Sequence, residues 1–162
     1  MKRIFIFVIM MGAFLTLSAC DNSKKTYESL IVGNWETTAP MTVSEDGITI
    51  TFTELNSTYN KNHISYSNGI MLISSSLFPQ DLEMSIAIKA NWTIEGDTLT
   101  ETMTAADIKM KSVIPGIPDI SEVIGQQMIA EGAKTSTILS LDAKTLVLEE
   151  NESDLKITMI RQ

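Results

Sequence analysis

The chain has 162 residues, 44% of them hydrophobic, and a formal charge of −8 from 20 acidic and 12 basic side chains. Such a balance repels polyphosphates and anionic headgroups at long range, which argues against a nucleic-acid partner. Cys20 is the only cysteine, so no intramolecular disulfide and no cysteine-rich metal site can form, and the length suits one domain folded on core packing alone.

The chain begins Met1-Lys2-Arg3, runs through an apolar stretch from Ile4 to Leu17, and then reads Leu17-Ser18-Ala19-Cys20. A basic start, a hydrophobic run and small residues before a cleavage point make a secretory signal peptide. The apolar run is shorter than the ~20 residues a transmembrane helix needs. Leu-Ser-Ala-Cys resembles the lipobox of bacterial lipoproteins. That resemblance implies that Cys20 is the lipidation site, takes a diacylglycerol with palmitate-type chains and becomes the mature N-terminus. Residues 1–19 are then the lipoprotein signal peptide, 20–27 the lipidated Cys and a polar tether, and 28–162 the folded domain. Loss of Lys2 and Arg3 with the signal peptide moves the charge to −10, so attachment to a membrane falls to the lipid, and two or more acyl chains hold firmly. The expected location is the bacterial cell envelope, outside the cytoplasm. Asp21 after the Cys implies inner-membrane retention in enterobacterial lipoproteins, whereas other bacteria sort by other rules, so inner and outer membrane both stay open.

From Tyr27 onward the pattern is mostly period two, and it predicts strands at about 33–38, 47–54, 58–66, 70–75, 82–95, 98–104, 135–141, 145–150 and 155–160. Leu82 to Ile94 is the best of them, with Leu82, Met84, Ile86, Ile88, Ala90, Trp92 and Ile94 on one face. A strand this long belongs to a strongly coiled sheet or a barrel. Ile48, Ile50 and Phe52 alternate with threonines, and Leu155, Ile157 and Met159 repeat the pattern near the end. Glu45-Asp46-Gly47, Ser67-Asn68-Gly69, Glu95-Gly96-Asp97, Asp142-Ala143-Lys144 and Asn151-Glu152-Ser153-Asp154 carry turn chemistry. Short connections imply an antiparallel meander, and closure would remove its exposed edges.

Pro115-Gly116-Ile117-Pro118 interrupts this pattern, and a helix is predicted over 118–131, with Pro118 in its first turn, Gly132 as its stop and a stripe of Ile120, Val123, Ile124 and Met128. The stripe has three readings: packing on the barrel, a lid over a pocket, or a face for membrane or partner. The absence of Lys and Arg argues against a membrane-surface helix. The fold class is therefore all-β: an antiparallel meander of 8–9 strands, either a barrel or a strongly curved sheet, with one helix before the last three strands.

Gly33-Asn34-Trp35 opens the first strand after Leu30-Ile31-Val32. A Gly-X-Trp there, ahead of a β-meander, resembles the lipocalin and lipocalin-like families. Trp92-Thr93-Ile94-Glu95-Gly96-Asp97-Thr98-Leu99 and Lys144-Thr145-Leu146-Val147-Leu148 resemble segments of bacterial lipocalin-like lipoproteins. The resemblance implies that Trp35 packs across the closed end of a barrel. Two departures stand beside it: the helix precedes the last three strands instead of following the barrel, and no lipocalin disulfide is possible.

Barrels of this size are either filled or hold one small ligand. Candidate ligand-binding residues are Trp35, Phe52, Met84, Ile86, Trp92, Glu101 and Met103, with both tryptophans at the base or wall. Glu101 shares the inward face if strand 98–104 turns Leu99 and Met103 inward. It then needs a partner or a raised pKa, and can meet a ligand head group; the other readings are a half-wet strand near the barrel mouth, or a one-residue slip that turns Glu101 outward. His63, the only histidine, lies in a polar, turn-like stretch. No zinc spacing, phosphate loop or nucleophile elbow occurs, and Glu149 and Glu150 point to opposite faces of a strand, so no catalytic residue, metal or cofactor is expected. The expected function is non-catalytic binding of a small apolar or amphipathic ligand. The alternative is a filled barrel acting as an interaction module, an inhibitor or accessory subunit of an envelope complex, with acidic loops meeting a protein partner.

Overall fold

The computed structural model describes residues 27–162 apart from Val113 and Asp154. Residues 1–26, on which the expected signal peptide, the lipidation of Cys20 and nearly all of the expected tether fall, lie outside the described residues. The elements follow in the order α1 (27–31), β1 (Gly33–Thr37), β2 (Met41–Glu45), β3 (Ile48–Tyr59), β4 (Ile64–Ser75), β5 (Leu82–Glu95), β6 (Thr98–Met110), α2 (Ser121–Ala130), β7 (Ala133–Leu141), β8 (Thr145–Glu150) and β9 (Lys156–Arg161). Strands β3 to β9 form an antiparallel meander. It closes because β1 pairs with β9 on one side and with the second half of β3 on the other. The product is an eight-stranded barrel, and β2 is an extra strand lying along the first half of β3.

Strand β5 carries the clearest physical signal. Leu82, Met84, Ile86, Ala90, Trp92 and Ile94 are all buried, while the residues between them are partly or fully exposed, as a strand with one apolar face requires. Strands β3 to β6 have 12 to 14 residues, whereas β1 and β7 to β9 have 5 to 9. The long strands therefore overrun the short ones, and two apolar clusters result. One packs the closed end around Ile31, Trp35, Tyr59, Trp92, Leu99 and Leu146. The other lies where the long strands project and includes Met71, Leu82, Met84, Ile86 and Ile108.

Helix α2 covers the projecting edge. Pairing between β6 and β7 ends at Thr102↔Ala133, so the rest of β6 would present an open edge. Ser121 at the start of α2 accepts a hydrogen bond from the Met110 N–H at 3.1 Å, and Gly125 packs so close to β6 that a Cβ would lie 3.2 Å from the Ala106 carbonyl oxygen. The helix is shorter than the expected 118–131. Ile120 is its N-cap, which leaves Pro118 ahead of the first turn. Ile120, Ile124 and Met128 pack inward on the second cluster, but Val123 is 63% exposed, because the tight Gly125 contact fixes which stripe faces the sheet.

Two further expectations are corrected at β3 and β4. Ser67-Asn68-Gly69 is no turn: it lies inside β4, opposite a bulge in which Glu54 and Leu55 together face Gly69. A Cβ on Gly69 would sit 3.1 Å from Leu55 Cα and 3.1 Å from the Thr53 carbonyl oxygen, so glycine is there for close backbone approach. The actual β3–β4 turn falls at 60–63, inside the expected strand 58–66, with His63 at φ 60°. Residues 41–45, given no element by the sequence reading, form β2, and β6 continues past 104 to Met110 because Thr104 sits in a second bulge between the Lys89 and Ala90 pairings.

Candidate functional site

Between the two clusters the barrel is hollow. A chamber of about 210 Å³ is bordered by apolar side chains that include Phe52, Leu55, Ile86, Ile88 and Met103, and by Ser57, Tyr59, Ser65, Ser67, Glu101 and Ser136. Small residues make this space. Ser57 pairs with Ser67 across β3 and β4, and Ser65 pairs with Ala90 across β4 and β5, so four short side chains stand where a filled barrel would place large ones. The β3 bulge brings this about: Ile50 and Phe52 pack inward before it, and Leu55, Ser57 and Tyr59 after it. The Ser57 and Ser67 hydroxyls share one hydrogen bond at 2.7 Å, one donating to the other.

Glu101 forms the polar floor. It accepts hydrogen bonds from the Ser65 hydroxyl at Oε1 (2.9 Å) and from the Tyr59 hydroxyl at Oε2 (3.2 Å), and both donors are buried. Glu101 keeps some accessible surface, and that surface borders the chamber. Burial pushes its carboxyl above the ordinary value of 4.5, while the bonds from Ser65 and Tyr59 pull the other way. The Tyr59 phenol is held well above its usual range by burial, by the charge of Glu101 and by the bond to it, so it serves as a fixed donor. Lys134 is the cross-strand neighbour of Glu101, yet its ammonium turns to Glu152 at 2.9 Å and Glu131 at 3.3 Å. Among the described residues, no cation forms an ion pair with Glu101.

A second, wider space of about 520 Å³ adjoins the first under α2. Ile50, Met71, Ile73, Phe78, Ile120 and Ile124 contribute to its wall, and Phe52, Met103, Met128 and Lys134 border both spaces. The partition is thus built largely from two methionines and a phenylalanine, unbranched or flat side chains that change rotamer without disturbing the strands.

Of the candidate residues, Phe52, Ile86, Glu101 and Met103 converge on the chamber. Trp35, Trp92 and Met84 do not border it. Met84 is fully buried in the second cluster, and both tryptophans lie in the closed-end cluster, with Tyr59 rather than either indole facing the space. Trp92 meets Tyr59 edge-on (centroids 5.9 Å apart, planes at 82°), and His63, exposed in its turn, lies against the Trp92 indole with centroids 4.6 Å apart. The Trp92 indole N–H has no acceptor among the described residues.

Trp35 is locked from both sides. Its Nε1–H donates to the Ile31 carbonyl at 2.7 Å, and the guanidinium of its cross-strand partner Arg161 lies 4.3 Å above the ring. That guanidinium also donates to the carbonyls of Leu30, Val32 (2.8 Å) and Ala143 (2.8 Å), which ties α1 and the β7–β8 turn to the barrel. Gly33 makes room for it: φ is +146°, and a Cβ would collide with Arg161 Nη1 at 2.1 Å. Arg161, Tyr59 and the serines escaped the sequence reading. Period two links Tyr59 to Leu55 and Ser57, but only once the strand is read through residue 58. Arg161 shares a turn-distant strand with Ile157 and Met159, and nothing local marks it.

Among the described residues, no group of three or more His, Cys, Asp or Glu side chains is placed to hold a metal ion, and no helix is long and apolar enough to cross a membrane. Compared with models of known families and with curated proteins, the sequence gives no match.

Proposed function

We propose that the protein is a lipid-anchored lipoprotein of the bacterial envelope that binds one small apolar or amphipathic molecule inside its barrel, without catalysis. The observation that carries the binding half is the chamber between the two clusters, walled by Phe52, Ile86 and Met103 and continued by the apolar space beneath α2. Ligand sites are concave and mostly apolar, with a few polar groups to fix orientation, and this one offers Glu101 and its hydroxyl partners for that purpose. The anchoring half is supported by the signal peptide and by Leu17-Ser18-Ala19-Cys20. Resemblance to lipocalin-like proteins supports both halves, with Gly33 and Trp35 at the head of an antiparallel barrel.

The test is native mass spectrometry of the full chain carrying Cys20→Ala, exported in its bacterial host and purified without detergent. The expected result is a stoichiometric small-molecule adduct that disappears on denaturation. A folded chain that takes up no apolar or amphipathic compound, even at millimolar concentration, overturns the binding half and leaves the barrel as a scaffold for a protein partner. Release of the wild-type chain from membranes by salt alone overturns the anchoring half.

A further inference from the structure

We infer that the ligand is a single-chain amphiphile with an amine head group, held head-inward by Glu101. The inference rests on the binding function proposed above and adds the chemical class and orientation of the ligand. Three observations converge on it. First, the acceptor sits at the inner end: Glu101 and its donors Tyr59 and Ser65 border the inner chamber and not the wider space under α2, whose polar lining is Gln127, Glu131, Lys134 and Glu150. A ligand whose head meets Glu101 leaves its apolar chain along Phe52, Met103 and Met128, which border both spaces.

Second, the floor asks for a donor. Each Glu101 oxygen already accepts one hydrogen bond, from Ser65 or Tyr59, which leaves acceptor capacity on both and no hydrogen for a ligand to accept from an ionised carboxyl. A primary ammonium brings three donors and a charge. A carboxylate buried without a cation is costly, and it gains most from a ligand that supplies one.

Third, the charges along the path favour a cation. The carboxyl and basic side chains bordering the two spaces are Glu101, Glu131, Glu150 and Lys134, three acids to one base, and Lys134 is already engaged by Glu131 and Glu152. A carboxylate head would have to displace those partners and then lie beside Glu101.

Isothermal titration calorimetry with the full Cys20→Ala chain, at neutral pH and about 0.5 M salt to screen exposed charges, compares decylamine, decan-1-ol and decanoate. The expected order is decylamine at least tenfold tighter than the other two, at one per chain. Glu101→Gln, checked for folding by circular dichroism, should weaken decylamine at least tenfold and remove its advantage over decan-1-ol. Equal binding of amine and alcohol, tighter binding of decanoate, or no effect of Glu101→Gln overturns the amine assignment while the binding function stands. Failure of all three probes overturns both. The comparison of probes on the parent chain needs no variant to fold.

Discussion

Whether the barrel is hollow or filled has a sign that can be measured. Ala90 is 4% exposed, borders the inner chamber and engages no side-chain hydrogen bond, so Ala90→Leu adds three carbon atoms to that space without removing a polar contact. If the space is real, the added atoms leave water for apolar surroundings at about 0.8 kcal/mol each, roughly 2.4 kcal/mol in total. Ordering the leucine costs about 0.5–1 kcal/mol, and loss of chamber solvation around Glu101 takes a further share, so a net gain of about 1 kcal/mol is expected. In a filled barrel the same change overpacks the core and costs about 1–3 kcal/mol. The assay is urea unfolding of the parent and variant, comparing midpoints at unchanged slope. A variant that loses 1 kcal/mol or more (about that threshold) refutes the hollow interior and with it the binding function. The stabilised variant should also lose decylamine binding, since leucine occupies the ligand's place.

Three other consequences follow from the packing. Arg161→Ala removes the three carbonyl contacts and the Trp35 stacking together, and should cost about 2–4 kcal/mol in urea unfolding, with Arg161→Lys recovering only part because one ammonium cannot reproduce the fork; a loss within error would refute the closed-end lock. Gly69→Ala should cost about 1–3 kcal/mol, since the new Cβ meets backbone atoms at 3.1 Å, and an unchanged unfolding midpoint would mean the bulge is not built as described. The Glu101 carboxyl sits above 4.5 in the folded state, so the native chain holds a proton that the unfolded chain has released, and stability falls as pH rises from 4.5 until the folded value is passed, then levels. Glu101→Gln removes that loss: the melting-temperature difference in its favour should grow from about pH 4 upward and then plateau, whereas a difference that shrinks with rising pH has the wrong sign.

Much of the barrel was written in period two. Strand β5 reads directly from Leu82 to Ile94, and Glu45-Asp46-Gly47, Glu95-Gly96-Asp97 and Asp142-Ala143-Lys144 turn the chain where their residue types predict, with the Asp142 carboxylate accepting the Lys144 and Thr145 N–H groups at 2.7 and 2.8 Å. The errors cluster at the bulges. Local sequence cannot distinguish a glycine that turns a chain from one that lets a neighbouring backbone approach, and Gly69 is the second kind. Reading it as a turn broke β4 and hid the alternation that brings Ser65 and Ser67 to the same face as Tyr59. Glu101 was legible because a carboxylate between Leu99 and Met103 on one strand face is conspicuous. Its donors were not, since they arrive from β3 and β4, 42 and 36 residues away in sequence.

The same arrangement explains why the interior can stay hollow. An unfilled chamber and a carboxyl without a cation both subtract from a stability that totals only about 5–15 kcal/mol for a domain. Replacing Ser57 and Ser67 by valine would reduce the first of these losses by filling the space with residues better suited to strands. The chain instead concentrates its packing below the chamber, where Trp35, Trp92, Ile31, Leu99 and Leu146 are essentially inaccessible and Arg161 ties together α1, β1, β9 and the β7–β8 turn. The donors to Glu101 issue from that rigid end: Tyr59 belongs to the closed-end cluster, and Ser65 is its cross-strand partner. The opposite wall is made of isoleucines, methionines, phenylalanines and helix α2, which is held on β6 by the Gly125 contact and the Ser121–Met110 hydrogen bond. A fixed polar floor beneath an apolar wall rich in methionine would orient one end of the proposed ligand while tolerating variation in the other. Selectivity should therefore lie in the head group, and chain length should matter little.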